Sequence, residues 1–276
     1  MARIVRTAAV FIVTGLSSIL AQTASSPSQQ GNPMTNVSPD ALKDLAPTGK
    51  LRAAINLGNM VLAQKDPATG QPKGITPDLA RELGRRLGVP VELVPFDAAG
   101  KVFEAVKTGS LDVLFLAIEP VRANEIAFTA PYVIIEGVYM VPKDSKITSV
   151  AEVDRDGVRI GVSKNSAYDL YLTRTLKHAT LMRGDDGIAL FVKEKLDAAG
   201  GVKQPLVAYA KTNPNVKILD GRFMEIRQAM GTPKGRGEAG ARYLGTFIEE
   251  MKASGFVADA LKRSNQPDAA VAPPAT

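Results

Sequence analysis

The sequence predicts an α/β protein built as two successive units. Short apolar runs of strand character alternate with stretches of helical period from residue 51 onward, the pattern of a sheet covered by helices. The alternation restarts after Pro142. The chain has 276 residues, 45% hydrophobic and 22% charged, enough to bury more than one core.

The elements follow in order. Residues 51–57 (Leu-Arg-Ala-Ala-Ile-Asn-Leu) form a first strand, and the Gly/Pro-rich stretch 66–74 reads as a hairpin or turn. Thr76-Pro77-Asp78 supplies a capping hydroxyl, a first-turn proline and an acid at the positive end of a helix. Leu79, Leu83 and Leu87 recur every four residues on that helix, and Gly88 closes it. Residues 89–94 form a second strand, and residues 98–108 a helix with Val102, Phe103 and Val106 on one face. Residues 111–116 form a third strand, whose unbroken apolar character suits a central parallel position. In the second unit, residues 158–162 are a strand, 163–166 a polar turn and 167–177 a helix. A helix over 188–196, a short strand over 196–199, a helix over 204–211 and a strand over 216–219 complete it. Leu244, Phe247, Ile248 and Met251 make one apolar stripe on a packing helix over 236–254. No internal sequence repeat is visible.

Composition excludes several chemistries. With no cysteine there is no disulfide framework, thiol nucleophile or thiolate metal site. The single histidine, His178, rules out multi-histidine metal sites, and neither a metal nor a cofactor is expected. The net charge of +6 comes from scattered basic residues and no aromatic-basic cluster appears, so no nucleic-acid partner is expected. Arg3 and Arg6 precede an apolar run from Ala8 to Leu20 that is too short to favour a spanning helix, so residues 1–25 read as a secretory signal. Met34 as the true start is the alternative, and would place the protein in the cytoplasm. Residues 26–47 read as a linker and 266–276 as a disordered tail.

One arginine stands out. The run Ala117-Ile118-Glu119-Pro120-Val121-Arg122 sets a guanidinium just past an apolar strand and a proline-started turn. There it can grip a carboxylate with two parallel hydrogen bonds; a surface ion pair is the plain alternative.

An ordered set of motifs extends this. Gly49-Lys50-Leu51-Arg52, Gly74-Ile75-Thr76-Pro77-Asp78-Leu79-Ala80, and Arg86-Leu87-Gly88-Val89 come first. Thr108-Gly109-Ser110-Leu111-Asp112-Val113, Arg122, Phe128-Thr129-Ala130-Pro131-Tyr132 and Lys195-Leu196-Asp197-Ala198-Ala199 follow. From about residue 49 to 263 the set resembles the type II periplasmic solute-binding proteins of polar amino acid ABC transporters, bacterial extracellular solute-binding protein family 3. The resemblance implies a two-lobed periplasmic binding protein type II fold, each lobe a mainly parallel sheet flanked by helices, with two hinge strands. Lobe 1 would be residues 48–141 and 227–265, and lobe 2 residues 142–226. It implies a small-molecule ligand between the lobes, an inner-membrane ABC permease as partner, a periplasmic location and a monomer. It makes Arg122 the holder of the ligand's carboxylate, helped from lobe 2 by Lys164-Asn165-Ser166-Ala167 at a helix start. Unpaired N–H groups and the positive dipole end suit that task; Ser166 is equally a plain N-cap.

The departures from the family pattern bear on the ligand. The family's ammonium site uses a hydroxyl and an acid where this chain has Ala117 and Val202. Lys203 follows, to be read as a ligand contact or as a solvated helix-start lysine. The first-strand loop, Asn56-Leu57-Gly58-Asn59-Met60, lacks the usual aromatics and offers Asn59 instead. Glu119 replaces a usual threonine; its plain reading is a helix-start carboxylate. Gln228 lies on the hinge-return strand, facing the cleft. A buried ammonium left unpaired costs roughly 3–5 kcal/mol, about a hundredfold or more in affinity. The expected function is therefore capture of a small carboxylate-bearing solute, an organic acid or an atypical amino acid. Two alternatives stand beside it. One is a dehydratase-like enzyme with Glu119 as general acid, since Ser163, Ser166 and His178 make a poor triad. The other is a soluble ligand sensor.

Overall fold

The computed structural model describes residues 37–266 and 268–276. The expected signal over residues 1–25 lies outside them. In chain order the first elements are α1 (Pro39–Leu45), β1 (Leu51–Asn56), the hairpin strands β2 (Gln64–Lys65) and β3 (Pro72–Lys73), and α2 (Ile75–Leu87). Then come β4 (Val91–Phe96), α3 (Ala99–Val106), β5 (Val113–Ala117), α4 (Pro120–Ala123) and the long β6 (Ile126–Pro142). The second unit carries β7 (Arg159–Ser163), α5 (Ala167–Thr175), β8 (Thr180–Gly184), α6 (Gly187–Glu194), β9 (Ala198–Val202), α7 (Lys203–Thr212) and β10 (Val216–Ile218). The chain returns through β11 (Met224–Pro233), α8 (Glu238–Ala253), α9 (Phe256–Arg263) and β12 (Ala270–Val271).

The α/β expectation holds, but the two units share one mixed sheet. Ten strands join in the order β4-β1-β5-β11-β6-β9-β7-β8, with β10 and β12 also on β6. β4, β1 and β5 run parallel, as do β9, β7 and β8, while β11 is antiparallel to both β5 and β6. β6 is common to both halves: its first part pairs with β11 and its last part with β9 and β10.

Side-chain alternation places the cores. On β1 and β5, Leu51, Ala53, Ile55, Val113, Phe115 and Ala117 face one way, into a cluster with Leu79 and Leu83 of α2 and Leu244, Phe247 and Ile248 of α8. Ala54, Leu114 and Leu116 face the other way, against Val102 and Val106 of α3. Past the middle of β6, Tyr139 and Val141 join Ile160 and Leu172 in one cluster, while Val138 and Met140 join Phe191 and Leu206 in another. Each half is thus a sheet covered on both faces. The four-residue leucine period of α2 is fully buried, and Gly88 ends that helix at φ 70°.

Several expectations are corrected. The helix predicted from Thr76 begins at Ile75 behind Gly74, so Thr76 lies inside the first turn and caps nothing. The supposed linker 26–47 contains α1, with Ser38 accepting from the Ala41 amide and with Ala41 and Leu45 buried. The supposed disordered tail carries β12, which pairs with Val133 and Ile134, while the Ala272 amide donates to the Tyr132 carbonyl. β8, α9 and the length of β6 were not predicted. β5 has a parallel neighbour only on its β1 side.

Candidate ligand-binding site

The site is built around α4, a single turn that leaves the end of β5. β5 is buried along its whole length, so the chain emerges from the core with Ala117 still covered. Glu119 occupies the N-cap position and Pro120 starts the turn. Arg122 follows in its last residues and is 1% exposed. One guanidinium nitrogen, Nη1, donates to the Ala117 carbonyl at 3.1 Å, and the other, Nη2, to the Asn165 carbonyl at 2.9 Å. Nε is buried and donates to nothing. Both acceptors are neutral. Burial brings the Arg122 pKa down to about 10, with the Glu119 charge acting against that fall. Such a shift corresponds to roughly 3 kcal/mol of lost charge stabilisation.

The second half supplies the facing wall. Asn165 sits at φ 59°, the left-handed region that asparagine tolerates better than most residues. Its carbonyl reaches Arg122, and its side chain lies against Gly100, where an added Cβ would come within 2.8 Å. Ser166 caps α5 by accepting from the Asp169 amide at 3.1 Å. Asp169 in turn accepts from the Asn165 amide at 2.8 Å and is held by Arg183 at 2.8 Å. The Asn165 N–H expected to help hold a carboxylate is therefore already engaged, and Ser166 acts as a plain N-cap.

Glu119 does not cap α4. It is 3% exposed, and its Oε2 lies 2.6 Å from Nη1 of Arg174, which comes from the last turn of α5. Arg174 was not among the sequence candidates, because its helix reads as a polar surface helix; the signal for it is a buried Glu119 in need of a partner. Ala117 belongs to the apolar cluster of the first half together with Ala167 of α5, and Tyr168 and Val202 pack against that cluster. The positions that the resemblance assigns to an ammonium site, Ala117 and Val202, thus carry apolar side chains that belong to or pack on that cluster.

The remaining candidates divide. Gln228 is 5% exposed and lies opposite Ala117 in the register of β11 with β5. Asn59 carries a buried Oδ1 without a partner. Lys203 starts α7 and keeps a partly exposed side chain, as a helix-start lysine does, and its Nζ pairs with Glu136 of β6 at 2.8 Å, while Arg222 holds the other oxygen of that carboxylate at 2.9 Å. Gln204, which the sequence reading passed over, starts α7 beside it with both amide atoms buried and unpartnered. His178 pairs with Asp156, and the Ser163 hydroxyl accepts from the Gly187 amide, so no triad forms. No cluster of metal-ligating side chains occurs among the described residues. A cavity of about 310 Å³ opens elsewhere, lined by Met60, Gln64, Lys73, Asp78 and Arg263, all from the first unit or α9.

Two covered half-sheets and a strand shared between them make a two-lobed α/β protein. Residues 60–264 match the bacterial extracellular solute-binding proteins, family 3, and the chain belongs to that family. It is 23% identical over 235 residues to a glutamine-binding protein of Geobacillus stearothermophilus, spanning 82% of this chain and 89% of that one. The fold is similar to that of a mutant of the T. maritima protein ArgBP, with a TM-score of 0.68, 21% identity and coverage of 82% and 99%. It is also similar to the ancestral amino acid-binding protein AncCDT-1, a precursor of cyclohexadienyl dehydratase, with a TM-score of 0.66, 24% identity and coverage of 80% and 98%.

Proposed function

We propose that the protein captures a small carboxylate-bearing solute between its lobes and delivers it to an ABC permease. The observation that carries this reading is Arg122, a buried cation with an idle Nε whose two hydrogen bonds go to neutral carbonyls. An anionic partner relieves the cost of burying that charge, and a carboxylate can take two parallel hydrogen bonds from it. β6 and β11 serve as the hinge strands, and the boundary expected at residue 142 moves back to about residue 137, because Val138, Tyr139, Met140 and Val141 pack with the second half. Ligand bridging the lobes shifts the population toward the closed form that a permease recognises. The working compartment is the periplasm, and the protein acts as a monomer. The family is one of binding proteins, and the chain is a binder, not a catalyst; the neighbour that stands next to an enzyme is itself an amino acid-binding protein.

The relatives are described as binding glutamine or amino acids, and Arg122 is our candidate for the carboxylate half of such a site. The other half is apolar, formed by Ala117 with Ala167 and Val202. The ligand is therefore an organic acid or an atypical amino acid, not an ordinary α-amino acid.

A thermal-shift screen over both classes tests this. A solute at a hundred times its dissociation constant stabilises the folded state by roughly 2.7 kcal/mol. Arg122→Met should weaken binding of every hit by about a hundredfold or more, by removing its charge partner. Unchanged affinity in that variant would show that the site lies elsewhere. Micromolar binding of common α-amino acids, with none of their deaminated acids, would overturn the ligand class.

A further inference from the structure

Two buried polar atoms where the lobes meet are of opposite kind: one has no partner, and the other meets only a guanidinium from the facing lobe. Arg122 Nε is a donor and Glu119 Oε2 an acceptor. Their residues are 1% and 3% exposed and belong to the same turn, α4. Glu119 is close enough for its charge to support that of Arg122. What they meet in this structure comes from α5 and the residue before its cap: a carbonyl oxygen of Asn165 against Arg122, and the guanidinium of Arg174 against Glu119. α4 is thus faced by an oxygen and a cation, the same two groups that a zwitterion presents.

Arg174 has the properties of a stand-in. Its side chain is 42% exposed, whereas that of Glu119 is 4% exposed, so the arginine can leave and the carboxylate cannot. Its Nη1 also donates to the Leu170 carbonyl of its own helix at 2.8 Å. At 2.6 Å its contact with Oε2 of Glu119 is an ion pair reaching across from the other lobe. A buried carboxylate needs a cationic partner, and a ligand cation enclosed beside it can take the place of an exposed arginine.

We infer that the solute is a zwitterion whose carboxylate takes Arg122 and whose cationic nitrogen displaces Arg174 from Glu119. This rests on the reading of Arg122 as the carboxylate holder and names the class of acid it holds. Because Ala117 and Val202 are packed in an apolar cluster, the nitrogen is set away from the α-carbon, as in an ω-amino or ω-guanidino acid.

Titration calorimetry on the full-length protein tests it. The probes are the ω-amino acids from β-alanine to ε-aminocaproate and γ-guanidinobutyrate, each against the unsubstituted acid of the same length. At least one nitrogen-bearing probe should bind roughly a hundredfold more tightly than its plain counterpart. Glu119→Gln should collapse that ratio toward one. Arg174→Ala, which removes the competitor and leaves the buried carboxylate, should tighten binding of the same probe. Plain acids that bind as well as their amino counterparts would overturn the inference while leaving Arg122 as the carboxylate holder. Weaker binding of all probes in Arg174→Ala would also overturn it, making the Glu119–Arg174 pair a latch between the lobes. If no probe of either kind binds, the Arg122 reading itself falls, and this inference with it.

Discussion

Tyr132 carries a hydroxyl into the middle of the first core. The residue is fully buried, its ring meets Phe115 edge to face at 6.2 Å, and its oxygen has no partner. Burial pushes its pKa upward for the same reason that leaves the group unsatisfied. Tyr132→Phe should therefore raise stability by about 1 kcal/mol, seen as a higher urea midpoint at constant slope; a lower midpoint would show that the hydroxyl has a partner in solution. Legibility at this scale was uneven. Arg122 was visible because an apolar strand and a proline turn announce it. Ser166 was visible as a cap, and is one. The Arg174 contact was not visible, because it joins residues of two lobes and leaves no spacing to read. The ion pair of Lys203 was not visible, because its partner, Glu136, lies far back in sequence on β6.

Among the elements, α1 gives the clearest case of function hidden from sequence. It is one short helix after a polar stretch, yet its Asp44 accepts from the Gly240 amide at 2.9 Å, near the start of α8. α8 begins behind Gly237 with no side-chain cap of its own, so Asp44 supplies one from the far end of the chain. Asp44→Ala should cost about 1 kcal/mol, measurable by urea denaturation. A second capping carboxylate, Glu152, accepts from the amide and hydroxyl of Thr148. Those bonds bring its pKa down to about 2, with Arg155 adding to the effect. The folded value lies below the unfolded one, so this contribution is present above the unfolded pKa and is lost as pH falls through the folded value. The stability gap between wild type and Glu152→Gln should narrow as the pH is lowered from about 5 to about 2; a gap that does not narrow would argue against the hydrogen bonds. Helix α2 was legible from end to end because its leucine period and Gly88 are local signals. β6 was not, because Pro131, Glu136 and Gly137 interrupt its apolar run. Its continuity comes from partners on both edges.

For the whole molecule, the C-terminal segment acts as a strap beside the hinge. β12 lies on β6 at Val133 and Ile134, the Ala275 amide donates to Glu249, and Lys252 donates to the Pro273 carbonyl. Ending the chain at Gln266 should lower stability by roughly 2 kcal/mol or more, since the β12 pairing, the Ala272–Tyr132 hydrogen bond and the buried Ala269 and Ala272 go with it. An unchanged melting curve would show that the strap contributes nothing. The return of the chain through β11 has a different consequence, for the time course of folding. β5 gains its second neighbour only when β11 arrives, and the Asp44 cap on α8 spans 196 residues. Contacts of such long sequence separation slow folding. The first half cannot be completed until the second has been synthesised and set aside. A ribosome-bound chain stopped within lobe 2 should therefore be open to proteases throughout its first half, even though most of that half has already emerged.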